Sequence, residues 1–199
     1  MGKVHPGAVL SPHFRDFLPP WVARQPWYRG NGIPSLPPVG YFRFEDPDGE
    51  VGVETHLVSD GLALYQVPMT YRGTPVNDVP AAGTALITTA EHSVLGTRWI
   101  YDGQADPVWH SAMLRLVQDG GVSDPSTKRG VGPALARGRL LTAENLTART
   151  VTIELRRLLT PGGPAAEPGA AGLVMGTWHA DGPGTASVTG RLAVIRKIA

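Results

Sequence analysis

The sequence predicts an α+β fold in which antiparallel strands outnumber helices. Three observations carry this. Apolar and polar residues alternate over successive short runs between Gly40 and Asp102. Tight-turn signals separate those runs, and a capped amphipathic helix follows at Asp106-Pro107. Strands and helices do not alternate in the way a parallel nucleotide-binding sheet demands.

A short helix comes first. Ser11-Pro12 reads as an N-cap and first helical position, with Phe14, Phe17 and Leu18 on one face. Pro19-Pro20 is expected to end or restart it. Trp21, Trp27 and Tyr28 follow, and residues 29–39, rich in Gly and Pro, read as loop.

In the first strand Phe42 and Phe44 alternate with Arg43 and Glu45. Asp46-Pro-Asp-Gly49 is a turn, because Pro fixes one dihedral and Gly accepts positive φ. Val51, Val53 and Leu57 then alternate with Glu50, Glu54 and His56, the pattern of a half-buried strand. Asp60-Gly61 is a hairpin signal. Tyr65, Val67, Met69 and Tyr71 form one face of a third strand, and residues 84–90 and 97–102 make a fourth and fifth. Consecutive hairpins imply a meander, continuous from residue 40 to 102.

Val108, Trp109, Ala112, Met113, Leu116 and Val117 stripe the helix after Asp106, and Gly120-Gly121 stops it. Residues 119–138 read as a long loop. Another strand runs from Arg149 to Leu158 on the alternation of Val151, Ile153 and Leu155. Residues 161–171 are low-complexity linker, and 172–179 with 187–198 form a closing hairpin around Asp181-Gly-Pro-Gly184. This divides the chain into residues 1–120 and a C-terminal β extension, 121–199, packed on the same core.

Composition narrows the function classes. The chain has 199 residues, enough to bury a core without staples, and no cysteine, so disulfides and thiolate zinc sites are excluded. Mean hydropathy is close to zero, and no apolar run approaches the ~20 residues of a membrane helix. The first residues lack a signal-peptide core, so a cytoplasmic location is expected. A net charge of +1 without long runs of one sign argues against nucleic acid as partner. The six His are scattered and form no metal-binding helix pair, so no metal is expected.

The element Leu18-Pro-Pro-Trp-Val-Ala-Arg-Gln-Pro-Trp-Tyr28, the hairpin series, and a strand ending in Tyr101-Asp102 before Asp106-Pro107 resemble the opening of bacterial maltokinase caps. The likeness extends to short actinobacterial proteins described as maltokinase N-terminal cap-like. It covers about residues 5–120 and the remainder loosely. The resemblance implies a cystatin-like fold, a curved antiparallel sheet packed on a helix. In full maltokinases it implies a cap on the kinase N-lobe, with the catalytic machinery downstream.

Phosphoryl transfer needs a positioning Asp, metal-holding Asp and Asn, and a phosphate-covering Gly loop. These 199 residues contain no His-x-Asp loop with a following Asn and no Asp-Phe-Gly-like motif. Leu192-Ala-Val-Ile-Arg-Lys197 resembles a kinase lysine strand, which makes Lys197 a candidate nucleotide contact; no helix follows to supply its Glu partner, and an ordinary closing strand is the alternative.

Glu91-His92-Ser93 invites a nucleophilic reading. Adjacent His and Ser on a turn do not give nucleophile–base geometry, and no Gly-x-Ser-x-Gly elbow is present. A turn held by local hydrogen bonds is expected. His110 is expected on the helix surface or in packing. Ser126-Thr-Lys-Arg-Gly130 is in the wrong order for a phosphate loop. Trp99 and Tyr101 share a strand face, where they either stack on a sugar or belong to the core. The ligand-contact candidates are therefore His92, Arg98, Trp99, Tyr101 and Asp102, with aromatic faces and charged groups suited to a neutral polyol.

The reading that results is a non-catalytic accessory protein without a cofactor. It binds a sugar or an enzyme of maltose, trehalose or α-glucan metabolism. The alternative is an enzyme of that metabolism with an unrecognised active site.

Overall fold

The computed structural model describes residues 5, 7–76, 85–125, 131, 133–162, 167–182 and 184–198. The described strands are β1 (Leu10–Ser11), β2 (Pro38–Phe44), β3 (Gly52–Ser59), β4 (Leu64–Arg72), β5 (Leu86–His92), β6 (Gly96–Asp102), β7 (Asp124–Pro125), β8 (Leu135–Leu140), β9 (Val151–Leu155), β10 (Leu158–Leu159), β11 (Ala170–Trp178) and β12 (Val188–Lys197). Helix α1 spans Phe14–Val22 and α2 spans Pro107–Gln118, with a short 3-10 turn at Gly103–Ala105. The α+β class with few helices and additional C-terminal antiparallel strands holds.

The larger sheet is curved and runs β1-β5-β6-β4-β3-β2-β7, all antiparallel, with β10 also against β4. The expected turns are present: Gly49 and Gly61 both take positive φ. The Asp46 carboxylate accepts the N–H groups of Asp48, Glu50 and Val51. The meander expectation needs correction. β2, β3 and β4 are consecutive neighbours, but β5 lies outside β6, so the chain leaves β4, passes one strand position and returns by a hairpin.

The second sheet runs β8-β11-β12-β9. Part of the expected 119–138 loop is therefore strand, in β7 and β8, while residues 126–130 lie outside the described residues. The expected strand 149–158 divides. β9 joins the second sheet, and after Arg156-Arg157 the chain enters the first sheet as β10.

The first sheet is covered on both faces. Tyr41, Val58, Tyr65, Val67, Met69 and Ile100 pack against Phe14, Phe17, Leu18, Trp21 and Val22 of α1. Phe42, Val53 and Leu57 pack against Trp109, Met113, Leu116 and Val117 of α2 and, beyond it, Val174, Leu192 and Ile195 of the second sheet. Hence β3 is not half-buried: Thr55, His56, Leu57 and Val58 are all buried. The His56 ring sits between Phe14 and Tyr41, each 4.6 Å away, with Nε2 3.2 Å from Glu54 Oε2.

Two helix expectations also change. α1 is capped by His13, not Ser11, with the Asp16 carboxylate accepting the His13 N–H at 3.1 Å. Pro19 and Pro20 lie inside α1. They forfeit helical N–H donors, yet the helix persists because its five large apolar residues are buried on the sheet. α2 starts where expected: Asp106 caps it, accepting the Val108 N–H at 2.9 Å.

The two layers approach closely at glycine. A Cβ at Gly138 of β8 would stand 2.0 Å from Leu116 O, and one at Gly172 of β11 would stand 2.5 Å from Val117 Cγ1. Residues 121–125 then strap the layers together. Gly121 and Ser123 bond to β8, through Gly138 N to Gly121 O and Ser123 N to Ala136 O, while Asp124 and Pro125 pair with Arg43 and Phe42 of β2.

Candidate functional site

Strand β4 organises the region that carries the sequence candidates. On one side it pairs with β3 along its length. Its other edge is shared. Met69–Arg72 pair with β6, whereas Leu64 and Tyr65 pair with β10. Between them the Gln66 N–H bonds Arg157 O at 2.8 Å. Backbone groups alternate sides along a strand, so residue 68 faces the same seam, and Pro68 has no N–H to leave unpaired there. The Gln66 side chain donates to Arg156 O at 3.2 Å and Leu192 O at 3.0 Å.

The seam is closed by charge. Arg157, 8% exposed, donates Nη2 to Asp102 and to Gln104 Oε1, and its guanidinium lies over the Trp27 ring at 5.1 Å. Close by, Arg72 forms a two-pronged pair with Asp106, both contacts at 2.7 Å, and Thr70 Oγ1 donates to the same carboxylate at 2.7 Å. Burial of Asp106 favours its neutral form, but Arg72, Thr70 and the Val108 N–H outweigh it and hold the carboxyl below the usual carboxylate range.

The five ligand-contact candidates do not share a face. Asp102 lies opposite Met69 and Tyr101 opposite Thr70, so Asp102, Ile100 and Arg98 face α1 while Trp99 and Tyr101 face the other way. Tyr101 is buried, and its hydroxyl accepts the Val76 N–H at 3.1 Å. Arg98, Trp99, Asp102 and His92 are partly exposed. Arg98 Nη2 donates to Leu95 O.

His92 Nδ1 accepts the N–H groups of Val94 and Leu95, both at 3.2 Å, and its ring meets His5 edge-on. Burial, then the neighbouring charges of His5 and Arg98, push the His92 pKa down. Glu91 Oε1 accepts from Thr97, so Glu91 and His92 hold this turn by local bonds, while Ser93 Oγ accepts the N–H of Val9, 84 residues away in sequence. His110 bonds Gln104 O at 2.7 Å. Lys197 lies near the end of β12, with Nζ 2.6 Å from Glu144 Oε1.

A cleft of about 400 Å³ opens elsewhere, between the β2–β7 edge and α2. Arg43, Glu45, Arg115, Asp119 and Asp124 supply charge around a floor that includes Phe44 and Leu116. Arg43 and Asp124 are cross-strand neighbours, and Arg115 donates to Glu45 O at 3.1 Å. None of the five candidates lines it. Such a rim suits a polar ligand or a peptide segment; it contains no His and no side-chain hydroxyl apart from Ser123. Among the described residues no group of three His, Asp or Glu side chains is placed to hold a metal, and no helix is long and apolar enough to cross a membrane.

Sequence reasoning missed Arg157 and the cleft. For Arg157 a signal exists. The alternation of Val151, Ile153 and Leu155 slips phase at Arg156-Arg157 before Leu158-Leu159, which marks a change of sheet. The cleft has none, because its charges come from β2, α2 and β7.

Residues 21–106 match the family model described as the maltokinase N-terminal cap domain. The match begins at Trp21 in α1 and ends at Asp106, the cap of α2, so it spans β2 to β6. No curated protein and no solved structure matches the chain.

Proposed function

From the maltokinase cap match over residues 21–106, we propose that this chain is a non-catalytic accessory protein of maltose, trehalose or α-glucan metabolism, acting in the cytoplasm by binding an enzyme or a sugar. The observation that carries the reading is the match. It is supported by these residues lacking the groups that hold Mg²⁺ and position an acceptor in phosphoryl transfer. The charged cleft beside α2 supports a binding role, since it presents carboxylates and guanidinium groups around an apolar floor.

The sugar contact in this reading is the β5–β6 hairpin. Partial exposure of His92, Arg98, Trp99 and Asp102 supports it. Because the strand alternates, a polyol meets Arg98 and His92 on one face or Trp99 on the other, not all of them together.

The test has two arms. A pull-down from native cytoplasm is scored for α-glucan and trehalose enzymes, and calorimetry with maltose compares the chain with Arg98→Ala. Enrichment of such an enzyme, or maltose binding lost in the variant, is expected. Sugar-dependent ADP release from ATP by the purified chain, abolished by Lys197→Ala, overturns the reading in favour of a kinase-related enzyme.

A further inference from the structure

Sheet edges expose unpaired backbone groups, and natural proteins blunt them with bulges, proline, lysine or short covering strands. Most of the edges here are treated in this way. β2 carries Pro38 and a register shift and is covered at Phe42 and Arg43 by β7. β5 has a register shift between Leu86 and Thr88 and is covered at Glu91 and His92 by β1. β8 is strapped by residues 121–123.

β9 differs. Its sequence, Val151-Thr-Ile-Glu-Leu155, has no Pro, Gly or Lys, its pairing with β12 has no register shift, and Thr152 and Glu154 are exposed. The Arg156 N–H bonds Leu192 O and Thr150 O accepts from Ile198, so the even-numbered residues face β12. The backbone groups of Val151, Ile153 and Leu155 therefore point away from the sheet, and among the described residues no hydrogen bond reaches them.

We propose that β9 pairs antiparallel with β9 of a second copy of this chain, around a two-fold axis through Ile153. Strand β9 is complementary to itself in this register. Ile153 then faces its own symmetry mate and Val151 faces Leu155, and each such pair exchanges two hydrogen bonds. All the outward groups are satisfied, and the two four-stranded sheets become one. The same register sets Thr152 opposite Glu154. Shifting by two residues in one direction sets Glu154 opposite Glu154, which like charge disfavours; shifting in the other leaves Leu155 beyond the partner strand. A two-fold contact of one patch with itself is the commonest protein assembly.

The chain contains no cysteine, so directed cross-linking reads the register cleanly. Thr152 and Glu154 would form a non-hydrogen-bonded cross-strand pair, about 4.5–5.5 Å between Cβ atoms. The double variant T152C/E154C is expected to give a disulfide-linked dimer on oxidation, and T152C alone to give little. In sedimentation velocity the full chain is expected to show a monomer–dimer equilibrium. T152E sets Glu opposite Glu at both symmetry-related sites and is expected to weaken association about tenfold. The exchange T152E/E154T restores the original pairing and is expected to restore association. Circular dichroism confirms that each variant is folded. A chain that stays monomeric and does not cross-link overturns the proposal. So does a dimer that neither T152E nor the cysteine pair affects.

Discussion

Replacing Gly138 by Ala tests the claim that α2 and the second sheet meet backbone to backbone. The added Cβ would stand 2.0 Å from Leu116 O, 2.4 Å from Leu116 C and 2.7 Å from Val117 Cα, where ordinary contact begins near 3.4 Å. All three atoms are backbone, so no rotamer change relieves the overlap. The last turn of α2 must withdraw from β8. Overpacking alone costs about 1–3 kcal/mol. Withdrawal also disturbs the Gly138 N–Gly121 O bond at 3.0 Å and the Gly121 N–Leu116 O bond at 2.9 Å, each worth about 1 kcal/mol. The expected loss is about 3–5 kcal/mol. For a chain of this size that lowers Tm by about 6–20 °C, read by circular dichroism and urea titration. Gly172→Ala supplies the comparison, because its closest obstacle is the Val117 side chain at 2.5 Å. Val117→Ala should partly rescue Gly172→Ala and leave Gly138→Ala unrelieved. A Gly138→Ala loss under about 0.5 kcal/mol, the range of an ordinary surface change, refutes the close approach.

Other outcomes follow from the buried polar groups. Asp106→Ala removes the partner of Arg72 and Thr70 together with the α2 cap, and should cost about 3–5 kcal/mol by denaturant titration; Asp106→Asn, able to cap, should cost less. Because the Asp106 carboxyl is held down in the folded state, its stabilisation is complete above the unfolded value of about 3.9 and fades as pH falls below it. Acid titration of Asp106→Asn should therefore lack part of that limb. Gln66→Leu strips Arg156 O of its donor and leaves Leu192 O with the Arg156 N–H alone, and a loss of about 1–3 kcal/mol is expected in the same assay. Burial, then the charge of Glu54, pushes the Tyr41 phenol up to about 12, so ultraviolet titration should find it still protonated at about pH 10, where a free tyrosine is half ionised. The His92 midpoint by NMR should lie below 6.5 and rise in Arg98→Gln.

Local signals were legible wherever the chain itself enforces them. Gly49 and Gly61 sit at positive φ where Asp-x-Asp-Gly and Asp-Gly demanded it, and Asp106-Pro107 opens α2 because cap and first-turn chemistry are local. Long-range facts were not legible. The alternation in β3 implies one wet face, yet His56 and Thr55 are buried because separate layers cover the two faces. Pro19-Pro20 reads as a stop, and the sheet beneath α1 overrides it. Of the candidate site, the sequence located Arg98, Trp99 and Asp102 on one strand and put Trp99 with Tyr101 on one face, but not which layer each face meets. Strand order decided that, through the pairing of β6 with β4 rather than with a sequential neighbour. Arg157 closes the seam from 55 residues away from Asp102, a separation that no local pattern spans.

The shared edge of β4 also sets a timetable for the nascent chain. Gln66 finds its backbone partner only when Arg156 and Arg157 exist, 90 residues later for the Gln66–Arg156 contact. At ribosomal rates of about 5–20 residues per second, that edge waits roughly 5–20 s after its own synthesis. During that interval the half-built sheet presents Leu64 and Tyr65 without β10, and the α2 stripe without the second sheet. Strand β12, made later than every other strand described, completes the core beneath Trp109. Folding of this chain is therefore held back until its C-terminal strands emerge, and the exposed intermediate is the species that chaperones and aggregation compete for.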